Sequence, residues 1–123
     1  MLNLQAIHHA AIICSDYQRS KHFYCEILGL KIVAENYRKE RRSYKLDLAL
    51  PNGNQIELFS FPKSPKRLNQ PEAQGLRHLA FLVHSVADSV AHLQTFGIDA
   101  ESIRIDEYTG RQYTFFKDPD GLP

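Results

Sequence analysis

Two histidines and a glutamate carry the chemistry this chain could perform. His9 lies in IHHAAIIC, Glu57 in NQIELFSF and His78 in LRHLAFLV. Each sits in a short apolar run bounded by turn or capping residues, as a strand would. Two imidazoles and one carboxylate suit a divalent metal. With coordination positions left open, such a set acts as a Lewis acid and lowers the pKa of bound water. A lone strand histidine is more often a packed or hydrogen-bonded residue. The reading therefore depends on how the three residues are related.

They are related by an internal repeat. Residues 7–29 read IHHAAIICSDYQRSKHFYCEILG, and residues 76–97 read LRHLAFLVHSVADSVAHLQTFG. His9 and His78 are 69 positions apart, as are Asp16 and Ser85. Gly29 and Gly97 are 68 apart, as are Gly53 and Gly121. One deletion in the second helix accounts for both offsets. The alignment selects His9 over His8, because Arg77 stands where His8 does. It also predicts a carboxylate equivalent to Glu57 at position 125, two residues after Pro123, on a last strand that the 123 residues do not reach.

The elements that must position these residues follow the same order twice. Residues 6–14 read as a strand with His9, Ala11 and Ile13 on one face and Ala10 and Ile12 on the other. Asp16 caps a helix whose apolar stripe is Phe23, Tyr24, Ile27 and Leu28, ending at Gly29. Strands follow at 30–36, 43–50 and 54–61, with RKERR as a loop and Asn52-Gly53 as a two-residue hairpin turn. On the last strand Gln55, Glu57 and Phe59 share a face opposite Ile56 and Leu58. A proline-rich linker covers 62–74. The second copy predicts a strand at 76–83, with His78, Ala80 and Leu82 on one face. A helix capped by Ser85 and strands at 98–105 and 111–118 follow. The expectation is an α+β fold, one domain of two βαβββ modules at 4–61 and 75–123, whose sheets share a cleft.

Composition sets the outer bounds. Hydrophobic content of 43% supports a core, and a net charge of +1 argues against nucleic-acid binding. No apolar run approaches the length of a membrane span. Cys14 and Cys25 sit among apolar neighbours, as reduced thiols in a cytoplasmic protein would. There is no GxSxG, no adjacent base for either cysteine and no glycine-rich phosphate loop. Arg19, Arg38, Arg41 and Arg42 are candidates for holding acidic groups.

HHAAIICSDYQRSKHFYCEILGL, NGNQIELF, GLRHLAFLV and FFKDPDGLP together resemble the vicinal oxygen chelate superfamily, close to its glyoxalase I-like (lactoylglutathione lyase-like) bacterial members. The resemblance covers essentially the whole chain. It implies paired βαβββ modules, the glyoxalase/bleomycin-resistance/dioxygenase fold, around a divalent metal: Ni²⁺, Zn²⁺ or Co²⁺, with Fe²⁺ or Mn²⁺ as further choices. It implies His9, Glu57 and His78 as ligands, with the fourth beyond Pro123. It implies a homodimer sharing the site between subunits, and a small-molecule substrate. In metal-dependent glyoxalases that substrate is a hemithioacetal of an α-oxoaldehyde and glutathione. A ligand carboxylate shuttles a proton through an enediolate stabilised by the metal. Glu57 is the carboxylate available here for catalysis. Two other functions fit: a binding or resistance protein that sequesters an antibiotic or metabolite, and non-haem iron dioxygenase chemistry, which also uses two histidines and a carboxylate.

Overall fold

A computed structural model describes all 123 residues and divides into two compact units, Met1–Lys66 and Arg67–Pro123. The architecture is α+β, with a mixed sheet and few helices. No helix is long and apolar enough to cross a membrane.

The first unit begins with strand β1 (His9–Cys14) and helix α1 (Tyr17–His22). Strands β2 (Lys31–Arg38), β3 (Ser43–Ala49) and β4 (Gln55–Ser60) complete a four-stranded sheet in the order β1-β4-β3-β2. β1 pairs with β4 in parallel, and the other pairs are antiparallel. Alternation sorts the side chains. Ile12, Cys14, Leu46, Leu48, Ile56 and Leu58 are buried, whereas the odd-numbered residues between them are not. Tyr17, Ser20, Phe23, Tyr24 and Ile27 are the buried residues of the helical segment. Tyr17 stacks flat on Tyr44 of β3, at 4.0 Å between ring centroids, which seats the helix on the even-numbered face.

The helix departs from the expected single α-helix. Its second half, Phe23–Ile27, is a π-helical turn, and Leu30 N–H reaches back to Tyr24 O. The wider turn keeps Phe23, Tyr24 and Ile27 all inside the core. The hairpin between β3 and β4 also differs. Gly53 N–H donates to Leu50 O at 3.0 Å and Leu50 N–H to Asn54 O at 2.8 Å, closing a three-residue loop. Gly53, at φ +91°, is the left-handed residue such a loop requires.

The second unit contains helix α2 (Val86–Thr95) and a two-stranded ribbon of β5 (Arg104–Ile105) and β6 (Gln112–Tyr113). The ribbon strands are much shorter than the expected 98–105 and 111–118. Beyond them the pairing continues irregularly, with Glu101 N–H donating to Phe115 O at 2.8 Å.

The repeat is physical as well as textual. Asp16 Oδ1 accepts from Arg19 N–H at 3.1 Å, and Ser85 Oγ accepts from Asp88 N–H at 3.1 Å. The loop at 118–122 reproduces the one at 50–54. Gly121 N–H donates to Asp118 O at 3.0 Å and Asp118 N–H to Leu122 O at 2.9 Å. One difference stands out. Residues 76–83, expected as a strand, form no ladder and gain a single rung, Leu79 N–H to Pro123 O at 3.2 Å. In the first unit β1 takes its whole ladder from β4.

An ionic cluster ties α1 to β2. Lys21 Nζ lies 2.7 Å from Glu35 Oε2, which also accepts a hydrogen bond from the Tyr17 hydroxyl. The Lys21 hydrogen bond first, and Tyr17 second, hold the Glu35 carboxyl below its ordinary 4.5. Burial first, and Glu35 second, push the Tyr17 phenol well up.

Two outcomes follow. Leu58 is fully buried, so Leu58→Ala should lower unfolding free energy by about 2–5 kcal/mol in urea titrations followed by circular dichroism. A depressed carboxyl stabilises the fold above its unfolded pKa and loses that contribution as pH falls. Glu35→Gln should therefore flatten the loss of stability below pH 4.5. An unchanged acid limb would show that the Glu35 cluster adds nothing.

Candidate metal centre

His9 opens β1 and Glu57 lies in the middle of β4. The parallel register sets His9 beside Gln55 and Ala11 beside Glu57. His9, Gln55 and Glu57 belong to the odd-numbered face, opposite the buried apolar one. That leaves their side chains free to meet each other. His9 Nε2 lies 3.5 Å from Glu57 Oε2. The Glu57 side chain is 14% exposed and that of His9 39%, so the carboxylate is shielded while the imidazole stays accessible.

Each partner is oriented from behind. His9 Nδ1 is 2.9 Å from His8 Nδ1, an exposed contact in which one ring must donate. With the proton on His9 Nδ1, Nε2 keeps its lone pair toward Glu57. On the other side, Lys45 Nζ is 3.8 Å from Glu57 Oε1 and 2.7 Å from Asp47 Oδ1. The Asp47 hydrogen bond, outweighing partial desolvation, raises the Lys45 ammonium pKa. The result is a line of charge across three strands, with one Glu57 oxygen facing a cation and the other an imidazole.

Lys45 and Asp47 were not singled out from the sequence. Their signal was present in SYKLDLAL, where they alternate with the buried Leu46 and Leu48. Asp47 pairs directly with Glu57 and Lys45 with Phe59. Both therefore share the face of Glu57.

The pair passes a simple test for a metal. Two ligands each about 2.0–2.2 Å from one ion at a tetrahedral angle lie roughly 3.4 Å apart. The His9–Glu57 separation of 3.5 Å matches that spacing. His78 lies in the second unit. Its ring meets Phe115 edge-on at 5.1 Å, and its Nδ1 is 3.4 Å from the Arg77 guanidinium. No group of three or more His, Cys, Asp or Glu side chains in the chain is close enough to hold an ion. Within the first unit, His9 and Glu57 are the two predicted ligands that meet. His22, His84 and His92 lie on or beside helices.

Residues 6–123 match the Glyoxalase/Bleomycin resistance protein/Dioxygenase superfamily. The chain belongs to this superfamily. An uncharacterized Bacillus subtilis protein, YwkD, is 57% identical over 120 residues, 98% of this chain and 94% of that protein. A glyoxalase family protein from Enterococcus faecalis has a crystal structure with a TM-score of 0.90 and 47% identity. That match covers 97% of this chain and 94% of that one. The trypanothione-dependent glyoxalase I of Leishmania major is 26% identical with a TM-score of 0.71, covering 97% and 83% of the two chains. The superfamily thus includes enzymes such as glyoxalase I, and its fold is the one described above.

Proposed function

We propose that this protein is a metal-dependent, glyoxalase-type lyase or isomerase acting on a small dicarbonyl-derived adduct. The observation that carries this is the 3.5 Å approach of His9 Nε2 to Glu57 Oε2 on the face turned away from the core. In this reading residues 4–61 and 75–123 are the two modules of one domain. His78 of the second module completes the ligand set, and a homodimer shares the site between subunits. The likeness to the Leishmania glyoxalase I supports the reaction class.

A divalent metal there would supply positive charge beside an oxygen that becomes anionic in the reaction. The protein's own residues do the rest. His9 offers Nε2 in the tautomer whose Nδ1–H donates to His8. Glu57 offers Oε2 because Lys45 faces Oε1. A carboxylate so oriented can take a proton from one carbon of the adduct and return it to the next. Lys45 and Asp47 act as positioning residues, holding the carboxylate toward His9 without touching the reacting atoms.

The test is metal content followed by turnover. Purified chain loaded with Ni²⁺, Zn²⁺ or Co²⁺ should retain the ion through gel filtration. It should also convert the hemithioacetal of methylglyoxal and glutathione to a thioester, read by ultraviolet absorbance. His9→Ala, Glu57→Gln and His78→Ala should each weaken metal binding by more than about tenfold, and His8→Ala, which keeps every ligand but removes the partner of His9, by less than any of them. Glu57→Gln should also cut turnover by about 10²–10⁴-fold. Full activity in a metal-free preparation defeats the proposal. Tight binding of a small molecule without turnover favours a sequestering protein instead.

A further inference from the structure

The odd-numbered face of the first unit holds a second, unexplained arrangement at its other end. Arg38, the last residue of β2, has its guanidinium 5.1 Å from the Phe59 ring centroid and 6.0 Å from that of Phe61. The two rings are nearly parallel, 5° apart in plane and 6.1 Å between centroids. Arg41, in the turn after β2, sits 5.7 Å from the Phe61 ring. Two cations thus rest on a two-ring shelf beside the Lys45–Asp47–Glu57 line.

Neither Arg38 nor Arg41 forms a salt bridge: Asp47 holds Lys45, and Glu57 faces Lys45 and His9. Arg38 donates one hydrogen bond, from a terminal nitrogen to Ser43 Oγ at 3.0 Å. Its Nε is buried and has no hydrogen-bond partner. A guanidinium presents donors in a planar fork that matches a carboxylate or phosphate through Nε and a terminal nitrogen together. The contact with Phe59 and the hydrogen bond to Ser43 restrain the guanidinium, so less rotamer freedom remains to be lost on binding.

We propose that Arg38 and Arg41, on the Phe59–Phe61 shelf, form a subsite for the acidic group of the substrate. The ligand class is a small molecule with a carboxylate or phosphate at one end and an apolar or planar middle. This rests on the function proposed above and adds a substrate class to it. Phe59 lies two residues beyond Glu57 on β4, about 7 Å at strand rise, and Phe61 follows just past the strand's end. The acid and the reacting oxygens should therefore be separated by several bonds.

The test uses metal-free protein, so failure of the metal site leaves its readout intact. ¹⁵N-labelled full chain in chelator is titrated with benzoate, with phenyl phosphate and with neutral benzyl alcohol. Benzoate or phenyl phosphate should shift amides of Arg38, Phe59 and Phe61, and the better of the two identifies the acid preferred. Benzyl alcohol should bind at least tenfold more weakly. Arg38→Gln should weaken the better acid at least tenfold. If its spectrum shows unfolding, Arg41→Gln, in the exposed turn, replaces it, with a several-fold loss expected. The proposal is overturned if the alcohol binds as well as the acids, if the shifts fall elsewhere, or if a folded arginine variant binds unchanged.

Discussion

The parallel pairing of β1 with β4 is the constraint on which the site depends. Those strands are separated in the chain by a helix and two other strands, yet they lie side by side at one end of the sheet. Side chains in paired strands alternate together, so His9 and Glu57 must share a face once Ala10 pairs with Ile56. The same alternation commits Ile12, Ile56 and Leu58 to the opposite face, where α1 covers them. Slipping the register by one residue would put Glu57 into the core and Leu58 into water. The hydrophobic core and the candidate metal centre are thus enforced by one register.

Duplication explains how the second unit comes to repeat these devices. The caps at Asp16 and Ser85 use different side chains to satisfy the same backbone donor at the same distance. The loops at Gly53 and Gly121 share two hydrogen bonds and a left-handed glycine. In the second loop Asp118 Oδ1 also accepts from Asp120 and Leu122 N–H. Such local devices need only a few consecutive residues. They survive whatever the longer-range pairing does, which is why the helix cap and the loop persist where the strand at 76–83 does not form.

That contrast marks what the sequence could reveal. Face assignments were legible, because period-two alternation is written into IHHAAIIC and NQIELFSF residue by residue. The repeat favoured His9 over His8, and His9 is the histidine whose ring lies beside Glu57. Pairing partners were not legible: an apolar alternating run shows which side chains turn inward but not which strand lies alongside. LRHLAFLV therefore read as a strand, although its ladder requires a neighbour. The π-helical turn was hidden for a related reason. Phe23, Tyr24 and Ile27 fit an ordinary helical stripe, and only packing reveals the widened turn. Lys45 and Asp47 could have been found by extending the alternation already applied to β4 onto β3.

The odd-numbered face of the first unit is ordered by charge, and that order has a consequence. Near β1 it offers His9 and a Glu57 oxygen, a combination that favours a cation. In the middle Lys45 is neutralised by Asp47 and Glu57. At the β2 end Arg38 and Arg41 stand over aromatic rings, a combination that favours an anion. Lys45 separates these two environments. Lys45 pairs with both carboxylates, at 2.7 Å from Asp47 and 3.8 Å from Glu57, and Arg38 pairs with neither. A ligand with an acidic tail and an oxygen-rich head would meet the two ends in only one direction. Orientation of the substrate would then come from the sheet's own charge order, before any metal contact is made.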